Sequence, residues 1–336
     1  MYDPNYPRNR VLLKGLKENG HEVLECQSRA KGLKKYLELY HRHQKIKGQY
    51  EVMIIGFPGQ TIVPFARFLT KKEIIFDAFS SHYGGYVEDR GYHNKISLAA
   101  LYYWLIDWLA VMLADQVLLD TNQHIDYFAR LLKVNKSIFK RVFVGSDKTI
   151  FYPRPQEKPA DKFIVYFHGT YIPLQGVEYI VEAANLLKEE KDIEFWLLGK
   201  GQTFPQIKEQ KEKFKIDNIK FLEPVKYEEL PNYPGQADIV LGIFGKTKKA
   251  GLVIPNKVFE ALAMKKPVIT RESSAIRELL TDRENVLLCR PADPQDLADK
   301  ILELKSNREL REKIAENGYH LFKEKLTPRK IVAELF

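Results

Sequence analysis

Short apolar runs recur along the chain at intervals that leave room for a helix between them. HEVLE (21–25), EVMIIGF (51–57), KEIIFDAF (72–79), DQVLLDT (115–121) and RVFVG (141–145) read as buried strands. A second series begins at FIVYFHG (163–169). It continues through EFWLLGKG (194–201), IKFLEPV (219–225), ADIVLGIF (237–244), PVIT (267–270) and NVLLC (285–289). The segments between them, such as GVEYIVEAANLLKEE (176–190), carry the helical period. Continuous apolar strands that alternate with helices predict parallel sheets covered on both faces. The tail over 293–326 is helical and dense in charge pairs.

The two series are separated by FYPRPQEKPADK (151–162), whose prolines and charges read as a linker. The expected architecture is α/β: two tandem doubly wound, Rossmann-like domains facing a cleft. The first is expected over 1–152 and the second over 153–318, with a helix over 319–336 packing back toward the first. Ligands of such sheets bind beyond the C-terminal ends of the strands, which makes the cleft the expected site. One irregularity stands out. The first element is a helix, RVLLKGLKENG (10–20), where a doubly wound domain begins with a strand. The first strand is therefore expected to be missing, which would expose the ladder groups of its neighbours. A start codon assigned too far downstream is the favoured explanation.

Composition adds little until charge is considered. The 336 residues carry a formal net charge of +9, which suits anionic partners: nucleotides, phosphates, nucleic acid or an acidic membrane surface. Clustered cations with interleaved aromatics are missing, so nucleic acid is not the expected partner. The 2 cysteines, Cys26 and Cys289, belong to no CxxC pair or Cys/His cluster, which argues against structural zinc and a disulfide framework. Two isolated thiols and a polar start fit a cytoplasmic location. The apolar stretch over 96–119 carries Asp107 at its middle. A spanning helix rarely tolerates a central carboxylate, so a partly buried helix followed by a strand is expected.

Several segments together resemble the GT-B glycosyltransferases, in particular the large retaining family 4 (group 1) set. HGTYIPLQGVEYIVEAANLL places Gly169 and Gly176 at that family's two glycine positions, and LLGKGQ (197–202) is similar to its LLGxGP turn. IKFLEPVKYEEL (219–230) follows its strand-then-EEL pattern. LVIPNKVFEALAMKKPVI resembles its E-x7-E motif in a Pro-x-Lys-x-x-Glu version. In the first half, VFVGSDKTIFYP (142–153) matches the PNGVDxxxFxP closure at Gly145, Asp147, Phe151 and Pro153. The resemblance covers nearly the whole chain, and it implies a nucleotide-sugar donor and transfer with retention, without a metal or other cofactor.

Such transfer needs a gripped nucleotide, a stabilised leaving diphosphate and a placed acceptor hydroxyl. Lys257, in the first turn of a helix, suits the diphosphate. Glu260, one turn on, suits a ribose diol, as the second glutamate of the motif does in the family. Pro255 and Asn256 open that helix. Gly199, Gly201, Val225 and Phe244 lie at strand ends where the donor would pass. The departures are as informative. The family's first glutamate falls at Leu252, and its phosphate-binding Arg and Lys fall at Thr170 and Gln175. Arg8, Lys246 and Lys249 are candidates for the lost charge. In the first domain Asp77, at the end of a strand, and His82, Asp89 and Arg90, on the glycine-rich loop over 79–95 that follows it, are candidates for acceptor contact or catalysis. The acceptor is expected to be a glycan or a lipid-linked molecule at an anionic membrane face, as in envelope polysaccharide synthesis. A sugar-nucleotide epimerase and a non-catalytic nucleotide- or polyanion-binding relative are the alternatives.

Overall fold

A computed structural model describes residues 6–154, 156–159 and 161–335. Of the proline-rich linker, Pro155 and Ala160 lie outside the described residues. The chain forms two compact units. The C-terminal unit is the contiguous segment Gly145–Thr327. The N-terminal unit runs to Val144 and takes in the chain from Pro328 onward. The division therefore falls a few residues before the boundary drawn at 152. Residues 319–327 stay with the C-terminal unit, and only the last helix belongs to the N-terminal one.

In the N-terminal unit, α1 (Pro7–Glu18) and α2 (Lys34–Ile46) precede β1 (Val52–Ile55). Then follow α3 (Val63–Leu69), β2 (Glu73–Asp77), α4 (Leu98–Leu113), β3 (Gln116–Leu119), α5 (Asn122–Leu132) and β4 (Phe139–Arg141). The strands pair in parallel in the order β1-β2-β3-β4. β2 and β3 are apolar and almost wholly buried, as continuous Ile, Val, Leu and Phe runs require. The helices begin where side chains accept first-turn amides: Ser97 from Ala100 at α4, and Thr121 from His124 at α5. The last helix, Pro328–Ala333, packs on α1 so closely that a Cβ at Gly15 would lie 2.2 Å from the Pro328 carbonyl oxygen.

One expectation is corrected here. HEVLE (21–25) forms no strand, because a strand needs a ladder partner and none of the described strands lies beside it. Within the glycine-rich loop over 79–95, Gly84–Asp89 is a wide helical turn. Buried Asp107, on α4, organises its entry by accepting from the Ser81 hydroxyl (2.6 Å) and from the amides of His82 (3.1 Å) and Tyr83 (3.0 Å). α4 and β3 divide the 96–119 stretch as expected. Among the described residues no helix is long and apolar enough to cross a membrane.

The C-terminal unit alternates β5 (Phe163–His168), α6 (Val177–Leu186), β6 (Ile193–Leu198), α7 (Phe204–Phe214) and β7 (Ile219–Leu222). It continues with α8 (Asn232–Gln236), β8 (Ile239–Leu241), α9 (Asn256–Ala263), β9 (Val268–Arg271), β10 (Leu287–Cys289), α10 (Pro294–Ser306) and α11 (Arg308–Leu321). Its parallel sheet has the order β10-β9-β8-β5-β6-β7. The chain thus winds outward one way from β5 to β7 and the other way from β8 to β10. The reversal lies between β5 and β8, which is where a doubly wound sheet opens its crevice. Buried β5, β6 and β8 form the core with one face of α6, α10 and α11.

Candidate functional site

The loops at that reversal point are fastened to one another by backbone. Gly176 ends the turn after β5 with φ +65°, and a Cβ there would lie 2.2 Å from the Gly245 amide nitrogen. A side chain is therefore excluded twice, by conformation and by space. The Phe244 amide donates to the Gln175 carbonyl (2.9 Å), so the turns after β5 and β8 are tied together. Gly199, after β6, has φ +134°, and a Cβ there would lie 2.0 Å from the Gly169 carbonyl oxygen. Tyr171 and Thr203 complete the join: the Tyr171 amide donates to Lys200 O (3.1 Å) and the Thr203 amide to Tyr171 O (3.1 Å). A Cβ at Gly201 would likewise meet the Tyr171 backbone, 2.5 Å from its carbonyl oxygen. Val225 is half-buried just beyond β7.

α9 begins against this floor, with Pro255 as its N-cap and Asn256 as its first residue. The amides of Asn256 and Lys257 find no acceptor among the described residues, as at any helix N-terminus without a side-chain cap. Lys257 is 4% exposed. Its ammonium lies 3.7 Å from the Phe167 ring centroid and donates to Gln175 Oε1 at 2.5 Å. A Cβ at Gly169 would come within 3.0 Å of it. Burial pushes the Lys257 pKa well below the ordinary lysine value, and the nearby Glu260 carboxylate opposes that shift.

Glu260 is equally buried, one turn further on. Its Oε2 lies 2.9 Å from His168 Nε2, and its Oε1 accepts from the Tyr227 hydroxyl at 3.2 Å. Each carboxylate oxygen keeps a lone pair for a further donor. His168 Nδ1 is buried with no partner among the described residues. Tyr227 packs edge-on against Phe151 (5.3 Å), which fixes its hydroxyl. The phenol of Tyr166, stacked on Tyr233, is pushed well above the ordinary tyrosine value by burial and by Glu260.

The structure thus brings together Gly169, Gly199, Gly201, Phe244, Pro255, Asn256, Lys257 and Glu260. Thr170 is exposed beside Gly169. Leu252 is 9% exposed, an apolar side chain where the resemblance expects a carboxylate. Lys246 and Lys249 lie in the loop after β8, Lys246 exposed and Lys249 in a short helical turn. Gln175 was read as a lost cation; here it is the partner that holds Lys257. His168 and Tyr227 were missed. The one signal for His168 was its place as the only polar residue closing an apolar strand, and nothing local marked Tyr227.

The N-terminal candidates have a different character. Arg8 is not an open cation. It and Asp77 are both 0% exposed and form a bidentate pair, with Arg8 Nε 3.1 and 3.0 Å from the two carboxylate oxygens and Nη2 2.9 Å from Oδ1. Arg8 Nη1 also donates to the carbonyls of Val142 (2.6 Å) and Phe143 (2.8 Å). The pair therefore ties α1 to the ends of β2 and β4 and is spent on structure. His82 is half-buried between the rings of Tyr86 and Tyr103, Asp89 is buried, and the Arg90 guanidinium lies over Tyr86 and Tyr92.

A family model described as Glycosyl transferases group 1 matches residues 149–321, just over half of the chain. An uncharacterized glycosyltransferase of Methanocaldococcus jannaschii is 28% identical over 183 residues, which is 54% of this chain and 48% of that protein. The chain spans about half the length of the curated relatives it matches most strongly. Among solved structures, sucrose-phosphate synthase of Thermosynechococcus elongatus superposes with a TM-score of 0.72 at 17% identity, covering 94% of this chain and 79% of that one. Anabaena HepE, solved with UDP and glucose, gives 0.71 at 16% identity, covering 95% and 86%. At such identities the likeness is one of fold.

Proposed function

The chain belongs to the group 1 glycosyltransferases, and from that premise we propose that it moves a sugar from a nucleotide-sugar donor to a glycan or lipid-linked acceptor. The carrying observation is the buried pair on one face of α9, Lys257 beneath Gln175 and Glu260 between His168 and Tyr227, at the reversal point of the sheet. The leaving diphosphate gains charge in the transition state. A buried ammonium and free helix amides answer that change without reorganising. Glu260 offers its remaining lone pairs to a ribose diol. On this reading no metal is required, and the anomeric configuration is retained, with a donor phosphate oxygen accepting the acceptor's proton.

HepE was solved with UDP and with UDP-glucose, which favours a uridine donor here. The membrane-facing part of the proposal rests on α4. Leu98, Leu101, Tyr102 and Met112 are all more than half exposed along it, as is Ile96 just before it, and Phe68 of neighbouring α3 is 82% exposed. Lys71 and Lys72 follow α3 and are exposed, which suits an anionic bilayer at the cytoplasmic face. A thermal-shift panel of UDP-, GDP- and ADP-sugars tests the donor. One should raise the melting temperature in the native chain, with the shift lost in Lys257→Ala and Glu260→Ala. No shift with any of them sinks the proposal. Product analysis by NMR checks retention, and undiminished turnover in EDTA checks metal independence.

Buried Leu252 favours one second reading. Without a carboxylate there, the site grips a nucleotide yet lacks a partner for the sugar, as a non-catalytic nucleotide-binding relative would. Binding of the nucleotide with no transfer to any acceptor would support it.

A further inference from the structure

Two opposite charges lie three positions apart on α9, both buried, and do not pair. Lys257 is 4% exposed and Glu260 3%. Side chains at i and i+3 of a helix are neighbours. Opposite charges also attract far more strongly in a buried site than in water. Yet among the described residues no ion pair joins these two. The ammonium is held by Gln175 and the Phe167 ring, and the carboxylate by His168 and Tyr227. The carboxylate is the arm that could swing, because the terminal torsion of a glutamate is broad and must be fixed by its partners.

Those partners come from different elements. Tyr227, beyond β7, donates to Oε1 at 3.2 Å, a long bond for a hydroxyl. His168, the last residue of β5, lies 2.9 Å from Oε2 and makes the closer contact. A carboxylate accepts, so the imidazole hydrogen belongs on Nε2. The other ring nitrogen, Nδ1, is buried with no partner among the described residues. Glu260 is therefore the ring's one hydrogen-bond partner among them. Packing alone does not call for a histidine here. An apolar residue would continue the buried strand without leaving a ring nitrogen unanswered.

We propose that His168 is a positioning residue that keeps Glu260 from closing onto Lys257. On the nucleotide-sugar reading of this site, on which this role depends, the separation leaves the ammonium to the diphosphate and the carboxylate to the ribose diol. Without His168 the two charges neutralise each other, and both halves of the ligand lose their partner at once.

Calorimetry of the full chain with UDP, GDP and ADP, each beside its parent nucleoside and its 2′,3′-dideoxy form, tests the role. For the diphosphate that binds, His168→Leu should lower its advantage over the nucleoside by about tenfold or more. The same change should cut the preference for the ribose form to under about threefold. Adding Glu260→Gln to His168→Leu should restore the diphosphate advantage to within about threefold of native, because an amide does not neutralise the ammonium, while the ribose preference stays lost. His168→Gln, which keeps a donor at the Nε2 position, should retain both. A residue that only shapes the fold would not give a loss that Glu260→Gln repairs. In the native chain, 15N NMR should place the His168 hydrogen on Nε2. A crystal structure of His168→Leu should bring Lys257 and Glu260 within about 4 Å. An unchanged diphosphate advantage in His168→Leu, a loss that Glu260→Gln does not repair, or a hydrogen on Nδ1 overturns the proposal. Failure of the donor reading shows differently, as no diphosphate bound by the native chain. The hydrogen position and the Lys257–Glu260 distance then decide for or against His168.

Discussion

Replacing Lys257 with methionine removes a charge and keeps most of the side-chain volume. The magnitude follows from the site. The ammonium is already desolvated, 4% exposed, and held by Gln175 and the Phe167 ring. Its desolvation is therefore a cost of the empty fold, not of binding. A phosphate oxygen about 4 Å away interacts with it by about 4 kcal/mol at an effective dielectric near 20. Lys257→Met should thus weaken a nucleoside diphosphate by roughly 3 kcal/mol, or a hundredfold or more, and should leave the parent nucleoside within about twofold. Titration calorimetry of both ligands on both proteins measures the difference.

A second readout comes from pH. Burial holds the folded-state pKa of Lys257 below the ordinary lysine value, so the unfolded chain binds that proton more tightly. Between the folded value and the ordinary one, the stability of the empty protein should rise with pH. Lys257→Met should lack that part of the slope and be no less stable than the native chain. A loss of diphosphate affinity below about fivefold, or an equal loss for the nucleoside, would refute the assignment.

Three further outcomes are expected. Glu260→Gln should shrink the preference for a ribonucleoside diphosphate over its 2′,3′-dideoxy form from roughly 10–100-fold to under threefold, measured by competition, because the charged acceptor is lost. Arg8→Met strands a buried carboxylate and should destabilise the N-terminal unit by about 3–5 kcal/mol, with Arg8→Met/Asp77→Leu recovering most of it; urea unfolding followed at Trp104 and Trp108 decides, and a loss under about 1 kcal/mol contradicts the pairing. Gly176→Ala forces a side chain into a left-handed conformation and against Gly245, and should cost the C-terminal unit more than about 2 kcal/mol in urea unfolding followed at Trp196.

Much of this architecture was legible because strand burial is written locally. Ten strands follow the apolar runs, with ends shifted by a few residues, as at 139–141 for the run over 141–145. HEVLE misled because pairing is not local: the same five residues make a strand only beside a partner. Lys257 and Glu260 were legible because one helix carries both. Their holders were not, since Gln175, His168 and Tyr227 lie 82, 92 and 33 residues away in sequence. Arg8 misled for the same reason, as its partner is 69 positions distant and nothing near Arg8 announces it. The order of the glycine-rich loop was not legible because the carboxylate that organises it, Asp107, sits on a different element.

The discontinuity of the N-terminal unit sets an order of events during synthesis. The C-terminal unit is one unbroken segment, whereas α1 waits for the helix at Pro328–Ala333 that covers it. At about 5–20 residues per second, the ribosome needs roughly ten to forty seconds to travel from Val144 to that helix. During that interval the face of α1 around Gly15 is exposed on a nascent chain whose later half can already fold. Chaperone engagement should therefore concentrate on α1, and loss of the helix at Pro328–Ala333 should be felt there, far back along the polypeptide.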